Sequence, residues 1–182
     1  MEGHGANDPG ELAASVRSLL DRQQILDCLQ RYARGVDRVD EDLIRSAFHS
    51  DAIDSHGPVN GTVDDFLSYW LPLQAQREVS QHHITNHNVE ISGDTAHAET
   101  YFLFFRKLFG DPVMLVAGGR YVDRFDRRNG VWRIAVRVVI SEWQMHADGE
   151  PTVALRELIS RGRADRSDLS YARPLLGVPD GY

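Results

Sequence analysis

Cysteine is almost missing from this chain, with Cys28 standing alone. A single thiol excludes an internal disulfide and every cysteine-rich zinc site. Its place beside Leu29 and three residues after Ile25 reads as core filling. Positive charge is also in short supply. The formal charge of −7 argues against nucleic acid as a partner, because phosphate binding needs clustered Lys and Arg. No apolar run approaches the roughly 20 residues of a membrane-spanning helix. Met1 to Gly10 is small and polar and lacks the apolar stretch of a signal peptide. Residues 1–10 are therefore expected to be disordered, and the protein to be cytoplasmic with no membrane partner. Internal repeats, low-complexity tracts and a Gly-x-Ser-x-Gly nucleophile elbow are absent as well.

What the chain does hold, over 182 residues, is enough apolar sequence for one domain and a change of period partway along it. Leu12, Val16, Leu19 and Leu20 predict a short helix over 11–20. Asp21 is read as the cap of a second helix carrying Ile25, Leu26, Leu29, Tyr32, Ala33 and Val36 and closing at Val36-Asp37. Asp40 caps a short helix with Leu43, Ile44, Ala47 and Phe48 on its stripe. Asp51 to His56 reads as a short strand. Thr62 with Asp65 starts a third helix, which Pro72 kinks or ends. After residue 78 the pattern alternates, with turns at Ser92-Gly93-Asp94, Gly110-Asp111-Pro112 and Arg128-Asn129-Gly130. The expected fold is α+β, a meander of long antiparallel strands against about three N-terminal helices. Residues 11–146 form the domain. Residues 147–182 form an extension lying on the body or a neighbour, with a short helix at Thr152 to Ser160 and an exposed charged stretch from Gly162 to Asp168. Because the strands are apolar on both faces, a homo-oligomer, trimer or dimer, is expected.

Chemistry concentrates around Gln81-His82-His83-Ile84-Thr85-Asn86-His87. His83 and His87 have the spacing of metal ligands only on a helix. In a strand they share a side about 13 Å apart, so no metal site is expected. Acid–base chemistry by a histidine and a carboxylate remains. Strand parity sets His82 opposite Val89 and Ile91 unless a β-bulge intervenes near Thr85-Asn86; periodicity alone favours His83 as the inward ring. Asp37 is either a helix-end acid or a group facing a partner, since the helix dipole disfavours an anion there. Arg137, mid-strand between Val136 and Val138, needs an acid such as Glu142 or Asp37, or a bound oxyanion. Gly118-Gly119-Arg120 precedes no helix and reads as close backbone packing or a bulge rather than a phosphate loop.

Four segments together carry a resemblance. Arg31-Tyr32-Ala33-x-x-Val36-Asp37, Gln81-His82-x-x-x-Asn86-His87, Gly118-Gly119-Arg120-Tyr121-x-Asp123-Arg124-Phe125 and Gly130-x-Trp132-Arg133-Ile134-x-x-Arg137 resemble the SnoaL-like proteins of the nuclear transport factor 2-like superfamily. The resemblance covers about residues 18–146. It implies a strongly curved sheet wrapped over the helices, with a pocket inside the cone. Members it resembles include hexachlorocyclohexane dehydrochlorinase, bile-acid 7α-dehydratase and, more remotely, scytalone dehydratase. By motif, Asp37 and His82 fall on the family's aspartate–histidine dyad, Tyr32 on a tyrosine of the bile-acid enzyme, and Arg137 on an arginine that reaches the pocket. Val136 stands where many relatives have His, and Glu142 where Asp is common. The implied activity is that of a lyase of dehydratase type, without cofactor, acting on a small apolar cyclic or polyketide-like substrate. Phe48, Trp70, Tyr101 and Phe102 are the candidate substrate-binding residues. An isomerase or polyketide cyclase, and the non-catalytic small subunit of a ring-hydroxylating dioxygenase, are the alternatives the fold allows.

Overall fold

A computed structural model describes residues 8–148 and 162–175. Helix α1 spans Pro9–Asp37, α2 Glu41–Ser46 and α3 Val63–Trp70, the last running on into a 3-10 turn at Leu71–Gln76. The strands are β1 Phe48–His56, β2 Val59–Thr62, β3 Arg77–Ser92, β4 Thr95–Leu108, β5 Val113–Arg128 and β6 Val131–Asp148. They form one sheet in the order β2-β1-β6-β5-β4-β3. The class is α+β, as the period change predicts. The sheet is mixed rather than wholly antiparallel, because β1 runs parallel to β6, and it stays open rather than closing into a barrel.

The N-terminal reading needs revision. Residues 1–7 lie outside the described ones, but Pro9 and Gly10 are helical, with Asp8 as the cap. One helix of 29 residues replaces the expected two. Nothing between Leu20 and Gln24 breaks a helix, and Asp21 caps nothing. Its buried carboxylate instead accepts bonds from Arg127 and from the Trp132 indole, at 2.9 Å. Two expected caps are present: Asp40 accepts from Leu43 N, and Thr62 with Asp65 makes a full capping box. Phe48 leaves the α2 stripe and opens β1.

The core lies between α1, α2, α3 and the concave face of the sheet, built on Ile25, Leu29, Ile44, Phe66, Phe125 and Ile134. Cys28 fills it as read from sequence. Its thiol donates to the Ala47 carbonyl, and burial pushes its pKa up to about 11. The tail is less exposed than its charge suggests. Asp168 is buried and pairs with Arg38 at 3.4 Å. Arg166 reaches Asp40 and Asp42, and the Tyr171 hydroxyl donates to Asp40 at 2.7 Å. The tail thus clasps the residues on either side of the α1–α2 junction. The helix expected at Thr152 to Ser160 falls outside the described residues.

Among the described residues five register shifts bend the sheet, three of them well inside β3 and β6. β3 gains a residue between Ile84 and His87 against β4. β6 gains one at Ala135 and another at Glu142 against β5. The last faces Gly118-Gly119, which bears out the bulge reading of that pair. A Cβ on Gly119 would lie 2.1 Å from the Ile140 carbonyl oxygen and 2.9 Å from the Phe102 ring. Gly119→Ala should therefore destabilise the fold by about 1–3 kcal/mol through overpacking. Chemical denaturation measures this, and unchanged stability would mean that β6 can shift away at no cost.

Candidate active site

Asp37 is the last residue of α1, where the helix dipole works against its charge. β3 supplies the compensation. Asp37 accepts from Ser80 Oγ at 3.0 Å, from the His82 backbone N–H at 2.8 Å and from His82 Nδ1 at 2.6 Å. Arg77 donates to the same Ser80 hydroxyl at 2.9 Å. A carboxylate bonded to Nδ1 fixes that nitrogen as the protonated one and leaves Nε2 as the basic atom. The Asp37 and His82 side chains are 14% and 10% exposed, so both are largely shielded yet still reachable.

The bulge between Ile84 and His87 decides which histidine is inward. It reverses side-chain parity along β3, so that Ser80, His82 and Ile84 share the concave face with Val89 beyond it. His83 is exposed, its ring against the edge of Phe105. His87 lies inside, bonded to Thr100. The two ring positions that suggested metal spacing therefore point to opposite faces rather than sharing a side. Among the described residues no group of three His, Cys, Asp or Glu is placed to hold a metal ion.

The bulge at Ala135 does the same for Arg137. Strand alternation groups it with Val139 and Trp143, but the extra residue turns it to the concave face with Trp132 and Ile134. Its partner is Asp123, which takes Nε at 2.8 Å and Nη2 at 2.7 Å. Neither Glu142 nor Asp37 pairs with it; Glu142 holds Arg120 on the other face. The guanidinium lies 4.3 Å from the Tyr32 ring and 4.1 Å from that of Tyr121. Burial opposes its charge, but Asp123 and the two tyrosines outweigh burial and raise its pKa. Burial also holds the Tyr32 phenol well above its ordinary pKa, so it stays protonated.

Ring contacts join these groups into a circuit. On one side His82 stacks on Phe104 at 4.5 Å, Arg77 lies over Phe104 and Trp70, and Trp70 stacks on Phe66. Phe66 in turn stacks on His56 at 4.7 Å, and His56 Nδ1 is 3.7 Å from Asp54. On the other side Asp54 is the register neighbour of Arg137, Tyr121 stacks on Phe102 at 4.6 Å, and Phe102 meets His82 at 6.5 Å. Tyr32 and Asp37 close the circuit from the helix side. Of the candidate substrate-binding residues, Phe102 meets His82, Trp70 meets Arg77, and Phe48 meets Tyr32 and Arg137. Tyr101 does not join them; it is on the opposite face of β4, under Arg120. Arg77 also lines a groove of about 690 Å³ between Gln74–Gln81 and the tail at Gly162–Asp165.

Sequence reasoning passed over Asp54, His56 and Asp123. Their signal is phase: Asp54 and His56 share the strand face of buried Ala52, and Asp123 lies on one face with Tyr121 and Phe125. Apolar Ile53 concealed the first two, since it takes the outer face and is 41% exposed.

The sequence model of the SnoaL-like domain family matches residues 17–138. No curated protein matches the chain significantly. Among solved structures, the hexachlorocyclohexane dehydrochlorinase of Novosphingobium barchaimii is similar, with 19% identity and a TM-score of 0.67 over 75% of this chain and 96% of that one. A protein of Kribbella flavida shares 20% identity with a TM-score of 0.64, over 70% of this chain and 95% of that one. At such identities the likeness speaks for the fold alone.

Burial lowers the His82 pKa below its ordinary 6.5, although the bond and charge of Asp37 pull it upward. An NMR titration of the imidazole should therefore give a midpoint below 6.5, and Asp37→Asn should lower it further by removing the charge that favours imidazolium. A midpoint that rises in the variant would contradict this geometry.

Proposed function

The chain belongs to the SnoaL-like family, and on that premise we propose that it is a lyase of dehydratase type that works without a cofactor on a small apolar, ring-bearing substrate. The observation that carries the reading is the 2.6 Å contact between Asp37 and His82 Nδ1. It dedicates Nε2 to proton abstraction inside an aromatic enclosure. A base whose neutral form is favoured by burial is ready at neutral pH. His82 takes a proton α to a carbonyl or antiperiplanar to a leaving group. The C–H electron pair becomes the new double bond, and the leaving group departs with the electrons of its own bond. Asp37 stabilises the imidazolium that forms. Tyr32, kept protonated, donates to the developing enolate or the departing hydroxide, and Arg137 supplies positive charge beside it. The buried charge around Arg137 weighs against a purely structural subunit, because burying ions is costly and a scaffold gains nothing from them.

Self-association is part of the proposal. Leu12, Val16, Leu19 and Leu20 form an exposed apolar stripe on α1, and Trp143 and Met145 are exposed on β6. Sedimentation should find a dimer or trimer.

The test of the activity uses cyclic ketones in heavy water. Wild-type protein should exchange the α-hydrogen for deuterium. Asp37→Asn and His82→Ala should each slow the exchange by roughly 10²–10⁴-fold with unchanged circular dichroism. The rate should fall as pH drops through a midpoint below 6.5, where His82 acquires its proton. Exchange that survives in His82→Ala removes the histidine as base.

A further inference from the structure

Arg77 opens β3 and lies over Trp70 and Phe104, its guanidinium carbon 5.3 and 5.6 Å from the two ring centres. Among the described residues it donates to the Ser80 hydroxyl at 2.9 Å, and no carboxylate pairs with it. Directly across the β3–β4 ladder from Ser80 stands Arg106, on the strand face of Phe102 and Phe104. It has no acid partner among those residues either, and its Nε is buried without a hydrogen bond. The chain carries 27 acidic side chains against 20 basic ones, so acids are plentiful, yet these two cations go without. Shielded guanidinium groups are normally paired, and two side by side repel each other until an anion joins them. Burial and the charge of Arg106 pull the Arg77 pKa down to about 10, which still leaves it cationic at neutral pH.

The groove that Arg77 lines has room for the molecule that carries the anion. Its volume of about 690 Å³ is that of a site for a small organic compound, and Val79, Phe109 and Met114 give it apolar surface. Of its acids, Glu78 is held by Lys107 and Asp165 accepts from Ser167, so neither is spent on Arg77. An ammonium group would be repelled here, and a hydroxyl or carbonyl would leave both charges unbalanced. A carboxylate fits, because its two oxygens match the planar fork of a guanidinium.

We propose that Arg77, backed by Arg106, binds a carboxylate, so that the substrate is an apolar ring compound carrying an acid group. The inference rests on the proposed function in taking the ligand of this groove as the substrate, and it names the substrate class. Arg77 supplies the fork, Arg106 the second charge and the groove the apolar contact. Ser80 ties this site to the dyad, since it accepts from Arg77 and donates to the carboxylate that holds His82. A bound anion also offsets the Arg77 charge, which is among those that lower the His82 pKa.

Matched one-, two- and three-ring ketones with and without a ring carboxylate test the site by titration calorimetry. In at least one pair the acid should bind the wild type about tenfold tighter or better, the worth of a charge-assisted hydrogen bond. Arg77→Gln should abolish the preference. Arg106→Gln should reduce it, and so should Arg77→Lys, which keeps the charge but not the fork. His82→Ala should keep it. In an NMR titration the bound acid should raise the His82 midpoint in the wild type and not in Arg77→Gln. Absence of any preference in the wild type overturns the site, as does a preference that survives in Arg77→Gln or a midpoint that the acid leaves unmoved. Inorganic phosphate that binds where none of the acids does overturns the carboxylate. Should Arg77→Gln not fold, an undiminished preference in both Arg77→Lys and Arg106→Gln overturns the site. Deuterium exchange of the same ketones reads His82 separately, so failure of the base and failure of the anion site give different results.

Discussion

The carboxylate of Asp37 is the point on which the architecture turns. It sits at the negative end of a 29-residue helix, the wrong place for an anion, and is held there by three donors from β3. Those bonds fasten the end of the helix to the edge strand and keep the mouth of the curved sheet in register. The same bonds orient His82. Structure and chemistry therefore share one group, and the tail reinforces it by clasping Arg38 and Asp40 on either side of the helix end.

The opposite wall solves a different problem. Arg137 and Asp123 are buried on adjacent strands, and their two parallel hydrogen bonds offset the cost of taking charge out of water. Aromatic faces above and below complete the solvation of the guanidinium. Asp54 extends the row to a third strand without a bond of its own. The concave face thus carries two polar clusters among aromatic rings, one joining Asp37 to His82 and one joining Asp123 to Arg137.

Much of this was legible in the sequence because local rules and tertiary fold agree. The caps at Asp40 and Thr62, the turn residues and the shift from helical to alternating period marked the elements, and the motifs named two pairs in contact, Asp37 with His82 and Tyr32 with Arg137. The misreadings arise where long-range contacts override local preference. Asp21 has the chemistry of a cap but is claimed by Arg127 and Trp132 over a hundred residues away. The pairing of β1 parallel to β6 depends on a register no local pattern encodes. Asp54 and His56 escaped because hydrophobicity ranks Ile53 as the inward residue, while in the fold Asp54 is buried and Ile53 exposed.

The bulges carry a further consequence. Both His82 and Arg137 share the concave face with the core residues of their strands only because an extra residue, near Thr85-Asn86 and at Ala135, reverses the alternation of the strand. A deletion of one residue at either place would return the strand to plain alternation and present the neighbouring side chains instead, His83 in one case and Val136 or Val138 in the other. Composition and hydrophobic content would hardly change. Lineages sharing this fold can therefore acquire or discard chemistry through single-codon insertions and deletions, a route that substitution alone does not offer.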